Sequence, residues 1–498
     1  TDARGGSTKF LYDEFHKIEE VLGSGAPEQV TRQFSWDNVT NRQIAVAEPG
    51  SLSTFTYDAE GRMTSRRIQD TDSGSERIWA YKHFGTSAHP VEVGRLASVD
   101  GPRTDVIDVT TFSYYLTDDP DGRYRAGDLK SIANAEQHLT EFLEYDANGR
   151  LVRSRDPNGV ITQLSYHPRG WVSRRTVNGL STNYLYDAVG NLTRVTQPDG
   201  TYISYQYDDA HRLVAMADSL DNRIEYMLDA AGNRVREDTY DVSGTLRRQL
   251  RRVHDQLNRM VSLIDGNDRE TSYGYDANGN RVYVAEDALN TGVFEYDALN
   301  RLIASVDAAG GETGLSYDAR GNLLGVTDPL GNTTHYVYDG LNNQLQVDSP
   351  DSGVTSFQYD EAGNRTAATD ARGVRIEYDY DVLNRLTQVS FPDSSLDVSF
   401  TWDIGQNGVG RIGRMSDALG AVDYSYDAWG NRISEIRVIQ GEQYVTLYDY
   451  NAAGRLLRIT YPSGLEIDFG LDGAGRITDI ASTRGAKSNL LISDISYE

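Results

Sequence analysis

A repeated Tyr-Asp pair sets the strongest constraint on the fold of this chain. In the central part of the sequence the pair recurs every 21 residues, at Tyr275, Tyr296, Tyr317, Tyr338, Tyr359 and Tyr380. Further copies in the same or a similar register stand at Tyr57, Tyr145, Tyr186, Tyr207 and Tyr426. A fixed period predicts one small supersecondary unit stacked many times, rather than several independent domains. The repeat also accounts for the unusual count of 32 Tyr against 12 Phe.

Residues before each anchor tyrosine indicate a short β-strand. A second large side chain usually stands two positions earlier, as in Tyr336 with Tyr338 and Tyr378 with Tyr380. Side chains two residues apart lie on the same face of a strand, so these pairs predict a row of aromatic rings along one face of a sheet. Such a row stabilises a sheet through cross-strand pairs; the alternative interpretation is a surface on which sugar rings stack.

Residues after the anchor indicate tight turns. The Asp that follows the tyrosine can accept backbone N–H groups, and the fourth residue after the anchor is mostly Gly or Asn. That preference predicts a positive φ, for example at Gly279, Gly321 and Gly363. A second turn lies eleven residues after the anchor, as at Asp156 and Asp328. Each unit is therefore predicted to be two short antiparallel strands and two turns.

Nineteen anchors, some of them degenerate, predict roughly 38 strands in one meander. A sheet of this length has to twist and coil, and the resulting interior is too wide for side chains to fill. The predicted fold class is therefore all-β, wound as one long spiralling sheet into a hollow shell. We expect the strand that ends at Phe294–Asp297 to form part of this wall, and we expect a five-residue insertion near Thr239–Gln249.

The repeat pattern divides the chain into four parts. Residues 1–32 form an N-terminal segment in which Glu14–Leu22 is a candidate for a short helix, although Tyr12-Asp13 is also a weak copy of the anchor. Residues 33–135 carry degenerate repeats, residues 136–480 regular ones, and residues 481–498 the C-terminal end. Because the chain starts at Thr1 without a signal peptide, we expect it to be a piece of a longer protein.

Charge and composition argue against several functions. With 48 Lys+Arg against 74 Asp+Glu, the net charge of −26 disfavours nucleic acid as a partner. No apolar run approaches the ~18–20 residues of a membrane span. The absence of cysteine removes disulfides, thiolate metal sites and cysteine nucleophiles.

The residues that could form a metal site do not match a known metal-binding motif. The eight histidines lack zinc-ligand spacing and stand at His16, His83, His89, His138, His167, His211, His254 and His335. The oxygen-rich segments Asp70–Glu76 and Asp118–Gly122 resemble calcium loops, but neither follows the EF-hand plan, so solvated loops are favoured. We therefore predict no catalytic, cofactor-binding or metal-binding residue, and no cofactor.

The segment Tyr275–Arg281, with the sequence Tyr-Asp-Ala-Asn-Gly-Asn-Arg, resembles the YD repeat of RHS proteins, a group related to the C components of toxin complexes and to teneurins. The segments Val99–Val106 and Asp156–Trp171 are similar to stretches of bacterial RHS repeat-containing proteins. The resemblance covers about residues 33–479. It implies a β-sheet strip wound into a hollow shell, which in many bacterial members encloses a toxic C-terminal polypeptide.

The resemblance therefore implies a non-enzymatic container of a secreted or cell-surface bacterial toxin, with a C-terminal toxin cargo and shell-capping domains of the same polypeptide as partners. One departure is that toxin-bearing members carry paired Asp-Pro-Xaa-Gly motifs around a Trp in a C-terminal core segment, which this sequence lacks up to Glu498. Asp156-Pro157 and Asp328-Pro329 look similar but stand in the ordinary second-turn register. The alternatives are an adhesion or surface protein whose repeats bind carbohydrate or partner proteins, and an enzyme acting on sugars.

Overall fold

The computed structural model describes residues 7–286, 291–493 and 495, and these residues form one antiparallel sheet of 43 strands. Every strand pairs with the strands directly before and after it in the chain, so the sheet is a continuous meander that does not close on itself. Within the described residues there is no α-helix, and the one helical element is the 3-10 turn Ser394–Leu396. The predicted all-β fold is therefore confirmed.

We call residues 7–258 the first winding of the sheet. Its strands are β1 Ser7–Tyr12, β2 Lys17–Ser24, β3 Val30–Asp37, β4 Arg42–Glu48, β5 Ser51–Tyr57, β6 Met63–Asp70, β7 Glu76–His83, β8 Leu96–Asp100, β9 Thr110–Tyr114, β10 Leu129–Ala133, β11 Leu139–Tyr145, β12 Leu151–Arg155, β13 Ile161–Tyr166, β14 Val172–Val177, β15 Leu180–Tyr186, β16 Leu192–Thr196, β17 Tyr202–Tyr207, β18 Leu213–Asp218, β19 Arg223–Leu228, β20 Arg234–Tyr240 and β21 Leu246–His254.

We call residues 259–492 the second winding. Its strands are β22 Met260–Ile264, β23 Glu270–Tyr275, β24 Arg281–Ala285, β25 Thr291–Tyr296, β26 Leu302–Val306, β27 Glu312–Tyr317, β28 Leu323–Thr327, β29 Thr333–Tyr338, β30 Gln344–Ser349, β31 Gly353–Tyr359, β32 Arg365–Thr369, β33 Arg375–Tyr380, β34 Leu386–Ser390, β35 Val398–Trp402, β36 Ile412–Asp417, β37 Gly420–Tyr426, β38 Arg432–Ile439, β39 Glu442–Tyr450, β40 Leu456–Thr460, β41 Leu465–Leu471, β42 Ile477–Arg484 and β43 Lys487–Ile492.

The hairpin of β25 and β26 shows how the repeat sequence closes its first turn, the turn that follows the anchor. The backbone N–H of Asp297 donates to the carbonyl of Arg301 at 2.9 Å, while Asp297 Oδ1 accepts the N–H groups of Leu299 and Arg301, both at 2.9 Å. Asn300 completes the turn with a φ of 61°. One carboxylate therefore fixes the loop, as the sequence predicts.

The predicted left-handed positions are confirmed. Gly279 and Gly321 have φ values of +90°, and Gly363 has +89°. In the neighbouring repeats Asn342 and Asn384 occupy the same place with φ values of 63° and 62°. Gly and Asn alternate here because both tolerate this backbone region better than other residues.

The N-terminal helix prediction is wrong. Residues of Glu14–Leu22 contribute to β2, which pairs with both β1 and β3. Asp13 forms the turn, since its Oδ1 accepts the N–H groups of Phe15 and His16 at 2.8 and 2.7 Å. Hydrogen bonding to two strands thus overrides the weak helical pattern, and the degenerate Tyr12-Asp13 copy behaves as an anchor.

The expected lengthening near Thr239–Gln249 is present as a long hairpin. Here β20 has 7 residues and β21 has 9, whereas the regular strand β26 has 5. The division of the chain at residues 32, 135 and 480 stays a prediction.

The wall of the protein is one sheet thick. Its accessible surface is 28033 Å², against about 18,000 Å² for a compact globule of the same mass. Within the described residues only six apolar side chains are buried, namely Val30, Val160, Leu250, Ala304, Ala367 and Val422. The chain therefore has little packed core, and the coiled sheet forms a hollow shell.

Candidate functional site: the seam between the two windings

The two windings meet along a seam. Asn158 Nδ2 donates to the carbonyl of Val409 at 3.0 Å, and Asn158 Oδ1 accepts the N–H of Val409 at 2.9 Å, although the residues are 251 positions apart. The indole N–H of Trp429 likewise donates to the carbonyl of Val177 at 3.1 Å. At both places a second turn of the first winding lies against a first turn of the second winding. The seam therefore joins the edges of the two windings through turn contacts, without strand pairing across it in the described residues.

Charged pairs reinforce this seam. Asp199, in a second turn, accepts hydrogen bonds from Arg455 and from Asn451 Nδ2, the latter at 2.9 Å. Burial raises the pKa of Asp199, but hydrogen bonds from Thr201 and the charge of Arg455 outweigh it, so the pKa lies below its ordinary value. Asp199 is thus ionised when it binds the second winding, and the contact is a charge-assisted hydrogen bond.

Arg103 anchors a further loop across the seam. It lies between β8 and β9, its residue is 9% exposed, and its Nη1 donates to the carbonyl of Asp381 at 2.7 Å. Its Nε donates to Asp105 Oδ1 at 2.9 Å and also lies 3.8 Å from Asp360 Oδ2. The segment Val99–Val106, singled out in the sequence, therefore attaches the first winding to two anchor turns of the second.

Two carboxyl groups lie close together at the base of this loop. Burial raises the pKa of Asp100, and the neighbouring carboxylate of Asp108 raises it further. Asp108 Oδ2 accepts the N–H of Arg103 at 3.3 Å, and a Cβ at Gly101 would clash with this carboxylate. The burial of Asp100 and its closeness to Asp108 both disfavour the charged form of Asp100.

In each of the two oxygen-rich loops, one carboxylate accepts hydrogen bonds from groups in or next to the same loop. Asp70, 2% exposed, accepts Asp72 N–H at 2.8 Å and Ser73 Oγ at 2.6 Å, and a Cβ at Gly340 across the seam would lie 2.6 Å from its Oδ1. In the second loop the guanidinium of Arg123 donates to both Asp119 oxygens at 2.8 Å and lowers the pKa of Asp119 to about 2. Nowhere in residues 7–286 and 291–493 do three His, Asp or Glu side chains group as metal ligands.

Four of the histidines make separate contacts or occupy turn positions in individual repeats. His16 stacks on Trp36 and His167 on Trp171, with ring centroids 4.6 and 5.0 Å apart. His211 occupies the left-handed turn position with a φ of 62°, and His138 Nε2 lies 3.7 Å from Asp403 Oδ2 at the seam. These four positions belong to different repeats.

Both Asp-Pro motifs sit in second turns. Asp156 Oδ1 accepts the N–H groups of Asn158 and Val160 at 2.9 Å. Asp328 Oδ1 accepts those of Leu330 and Asn332 at 2.8 Å. Each carboxylate therefore has the geometry that the turn itself requires.

The aromatic rows have partners within the sheet. Arg259, Arg301 and Arg385 lie over the rings of Tyr275, Tyr317 and Trp402, at 4.9, 4.8 and 4.9 Å from the centroids. A ring face covered by a guanidinium is stabilised by a cation–π contact and presents less surface to a sugar. These contacts favour the structural interpretation of the row.

A cavity of about 990 Å³ lies on the seam beside the Arg103 loop. The first winding contributes Arg67 and Glu76 to its lining, and the second contributes Phe357 and Tyr359. Sequence periodicity does not reveal this cavity or the seam, because the residues that meet there are more than ten repeats apart.

Seven segments match the RHS repeat family, at residues 145–181, 186–223, 296–333, 317–354, 338–375, 359–396 and 450–487. The chain contains RHS repeats.

Curated relatives of this RHS chain are named as toxins or nucleases. It is 35% identical over 118 residues to double-stranded DNA deaminase toxin A of Burkholderia cenocepacia strain H111, which covers 21% of the chain and 8% of that protein. It is 30% identical over 118 residues to the tRNA3(Ser)-specific nuclease WapA of Bacillus spizizenii, which covers 22% of the chain and 5% of that protein. The chain thus matches only a small part of each relative.

A solved structure shares the fold across nearly the whole RHS chain. The crystal structure of TcdB2-TccC3 without its hypervariable C-terminal region superposes with a TM-score of 0.67 at 13% identity. The match covers 98% of this chain and 36% of that one. It establishes the shell fold. The described part of the chain contains no helix that is long and apolar enough to cross a membrane.

Proposed function

We propose that this RHS shell is a non-catalytic container that encloses a toxic polypeptide before delivery. The observation that carries the proposal is a wall one sheet thick, with 28033 Å² of accessible surface, whose successive windings are fastened to each other at the seam. Such a wall contains no large packed hydrophobic core. It separates an interior volume from the surroundings, which is what a container requires.

The chemistry of the described residues supports the same role. The aspartates at turns and seam are used as hydrogen-bond acceptors, and the histidines lie in different repeats. The toxin named among the relatives matches this chain over 118 residues, which are 8% of that protein, so its toxic activity can belong to another part of that protein. The cargo proposed here is accordingly a C-terminal polypeptide joined to this shell, together with domains that cap it, and the proposed destination is outside the producing bacterial cell.

Protease protection tests the container proposal. A flexible, protease-sensitive polypeptide joined after Glu498 should be cut more slowly than the same polypeptide joined before Thr1. A variant with a loosened seam, Arg103→Ala combined with Asp199→Asn, should abolish the difference. Cleavage of the C-terminal polypeptide at the rate of the free peptide in the intact shell would contradict the proposal.

Small-angle scattering provides an independent measurement of the hollow. A compact globule of 498 residues has a radius of gyration of about 23 Å. The hollow wall should give a clearly larger value.

A further inference from the structure

Five Asn-Gly pairs occur in the sequence, and they begin at Asn148, Asn158, Asn178, Asn278 and Asn407. In such a pair the main-chain nitrogen of the glycine can attack the side-chain amide carbon of the asparagine, because glycine has no side chain that hinders the approach. The attack needs a glycine N–H that is free and an asparagine side chain that can turn toward it. The structure therefore decides which of the five pairs can react.

Four of the pairs hold the glycine N–H in a turn hydrogen bond. The N–H groups of Gly149, Gly159 and Gly279 donate to the carbonyls of the aspartates that open their turns, at 2.9, 2.9 and 3.1 Å. The N–H of Gly408 donates to the carbonyl of Gly405 at 3.3 Å. Each of these hydrogen bonds must break before the nitrogen can attack.

Three of these four asparagines also use their side-chain amide. Asn158 Nδ2 makes the seam contact described above. Asn278 Nδ2 donates to Asn300 Oδ1 at 2.9 Å, and Asn407 Nδ2 donates to the carbonyl of Tyr426 at 3.1 Å. An amide in such a contact cannot rotate toward the next main-chain nitrogen without losing a hydrogen bond.

The pair Asn178-Gly179 has neither restraint. It forms the two-residue turn between β14 and β15, where Asn178 has a φ of 45° and Gly179 a φ of 87°, and both residues are exposed. Positive φ at both central positions is the usual geometry of an Asn-Gly hairpin turn. Among the described residues, no group accepts the Gly179 N–H and none binds the Asn178 side chain. The attacking nitrogen and the amide that it attacks are thus both free.

We propose that Asn178 is a site of spontaneous deamidation and that its product loosens the seam beside it. The Gly179 nitrogen forms a bond to Asn178 Cγ and gives up its proton, and Asn178 Nδ2 leaves with that proton as ammonia. Water then opens the succinimide ring. Cleavage of the new bond gives aspartate, and cleavage of the original peptide bond gives isoaspartate, in which the main chain runs through Cβ and Cγ. Water is the only co-reactant.

Isoaspartate at this position lengthens the main chain of the turn by one carbon. The turn joins Val177 to Leu180, which pair directly across the hairpin, and the carbonyl of Val177 accepts the indole N–H of Trp429 at 3.1 Å. A two-residue turn matches the twist of its strands only at its normal length. The longer chain therefore displaces the Val177 carbonyl and weakens its contact with the second winding. This inference concerns the ageing of the wall and is independent of any cargo.

The chain contains a similar turn that cannot react in this way at a comparable rate. Gln440-Gly441 connects β38 and β39 with φ values of 51° and 88°, close to those of Asn178 and Gly179. Glutamine has one more methylene and would have to form a larger ring, which closes far more slowly. Asn178→Gln should therefore keep the turn and block the reaction.

Peptide mapping by mass spectrometry after incubation in mildly alkaline buffer tests the site, because the five pairs lie in five different tryptic peptides. In the folded chain Asn178 should gain about 1 Da at least about threefold faster than each of the other four asparagines, since those pairs must first lose a hydrogen bond. Unfolding in urea should remove the difference. A faster reaction at another pair, equal rates in the folded chain, or a preference for Asn178 that persists in urea would overturn the proposal.

Amide hydrogen exchange tests the effect on the seam. Before incubation the unmodified chain and Asn178→Gln should exchange alike. After incubation, molecules with isoaspartate at 178 should exchange about threefold faster or more in residues 176–181 and 427–431, whereas Asn178→Gln should not change. Isoaspartate at 178 with unchanged exchange around Trp429 would refute the link between the turn and the seam.

Discussion

The phenol hydroxyl of Tyr317 donates a hydrogen bond of 2.8 Å to the carbonyl of Leu302, at the start of the preceding strand. The same relationship, again 15 residues apart, joins Tyr275 to Met260 at 2.7 Å. A phenylalanine could fill the space of the ring but could not satisfy this carbonyl. The hydroxyl therefore explains why the anchors are tyrosines, since a buried polar group needs a partner.

Replacing Tyr317 by Phe should lower the free energy of unfolding by about 0.5–1.5 kcal/mol, because it removes one hydrogen bond and leaves the Leu302 carbonyl without its donor. Urea denaturation followed by circular dichroism measures the change. Tyr444→Phe, at a tyrosine that is 45% exposed, is the control and should leave the midpoint in place. Equal midpoints for Tyr317→Phe and the unmodified chain would show that the hydroxyl contributes no stability.

Gly321→Val should destabilise the sheet by about 1–3 kcal/mol through backbone strain alone. The φ of Gly321 is +90°, and an added Cβ would meet no atom within 4 Å, so steric clash does not contribute. Gly321→Asn is the matched control, because Asn already occupies this place at Asn342. Its denaturation midpoint should fall between those of the valine variant and the unmodified chain, and a valine variant as stable as the asparagine variant would refute the strain argument.

Arg103→Ala should loosen the seam locally. The substitution removes the donor to the Asp381 carbonyl and leaves Asp105 and Asp360 without that guanidinium. Amide hydrogen exchange should become about tenfold faster or more in residues 101–108 and around Asp381. Arg269→Ala is the control, since Arg269 pairs with Asp265 and its side chain is 79% exposed. Unchanged exchange on both sides of the seam would mean that Arg103 does not hold the windings together.

Asp100→Asn should stabilise the protein at neutral pH and lose that advantage in acid. The folded-state pKa of Asp100 is raised, so its favourable contribution is present below the unfolded pKa and disappears as the pH rises through the folded value. Above that value the ionised Asp100 repels Asp108, which the amide avoids. Measuring the free energy of unfolding of Asp100→Asn and of the unmodified chain between about pH 4 and 8 tests this prediction. A stability gain of the variant that increases toward acid pH would contradict it.

The sequence predicts the local parts of this structure well because each is specified within one repeat. The anchor, the turn carboxylate and the positive φ positions fall within a few residues of each other. The number of strands is predicted less well. The repeat pattern predicts roughly 38 strands, whereas the described residues form 43. The additional strands are β7 to β10, between the anchors Tyr57 and Tyr145, and the edge strand β43. In the first region no Tyr-Asp pair marks the turns, and the longer loops 84–95 and 115–128 replace them.

The seam could not be predicted for a different reason. Which turn meets which depends on the pitch of the coil, and the pitch accumulates small twists from more than twenty strands. A change of a few degrees per strand would shift the partner of Asn158 from Val409 to another repeat. No motif in either turn encodes the 251-residue separation.

The neighbour-to-neighbour pairing of the strands has a consequence for how the protein forms. Since every ladder joins strands adjacent in the chain, each hairpin can add to the sheet as soon as it leaves the ribosome, without searching for a distant partner. Contacts such as that of Asn158 with Val409 can form only after one full winding is complete. Synthesis would therefore produce a growing ribbon first and a fastened enclosure last, with the order of assembly set by the order of translation.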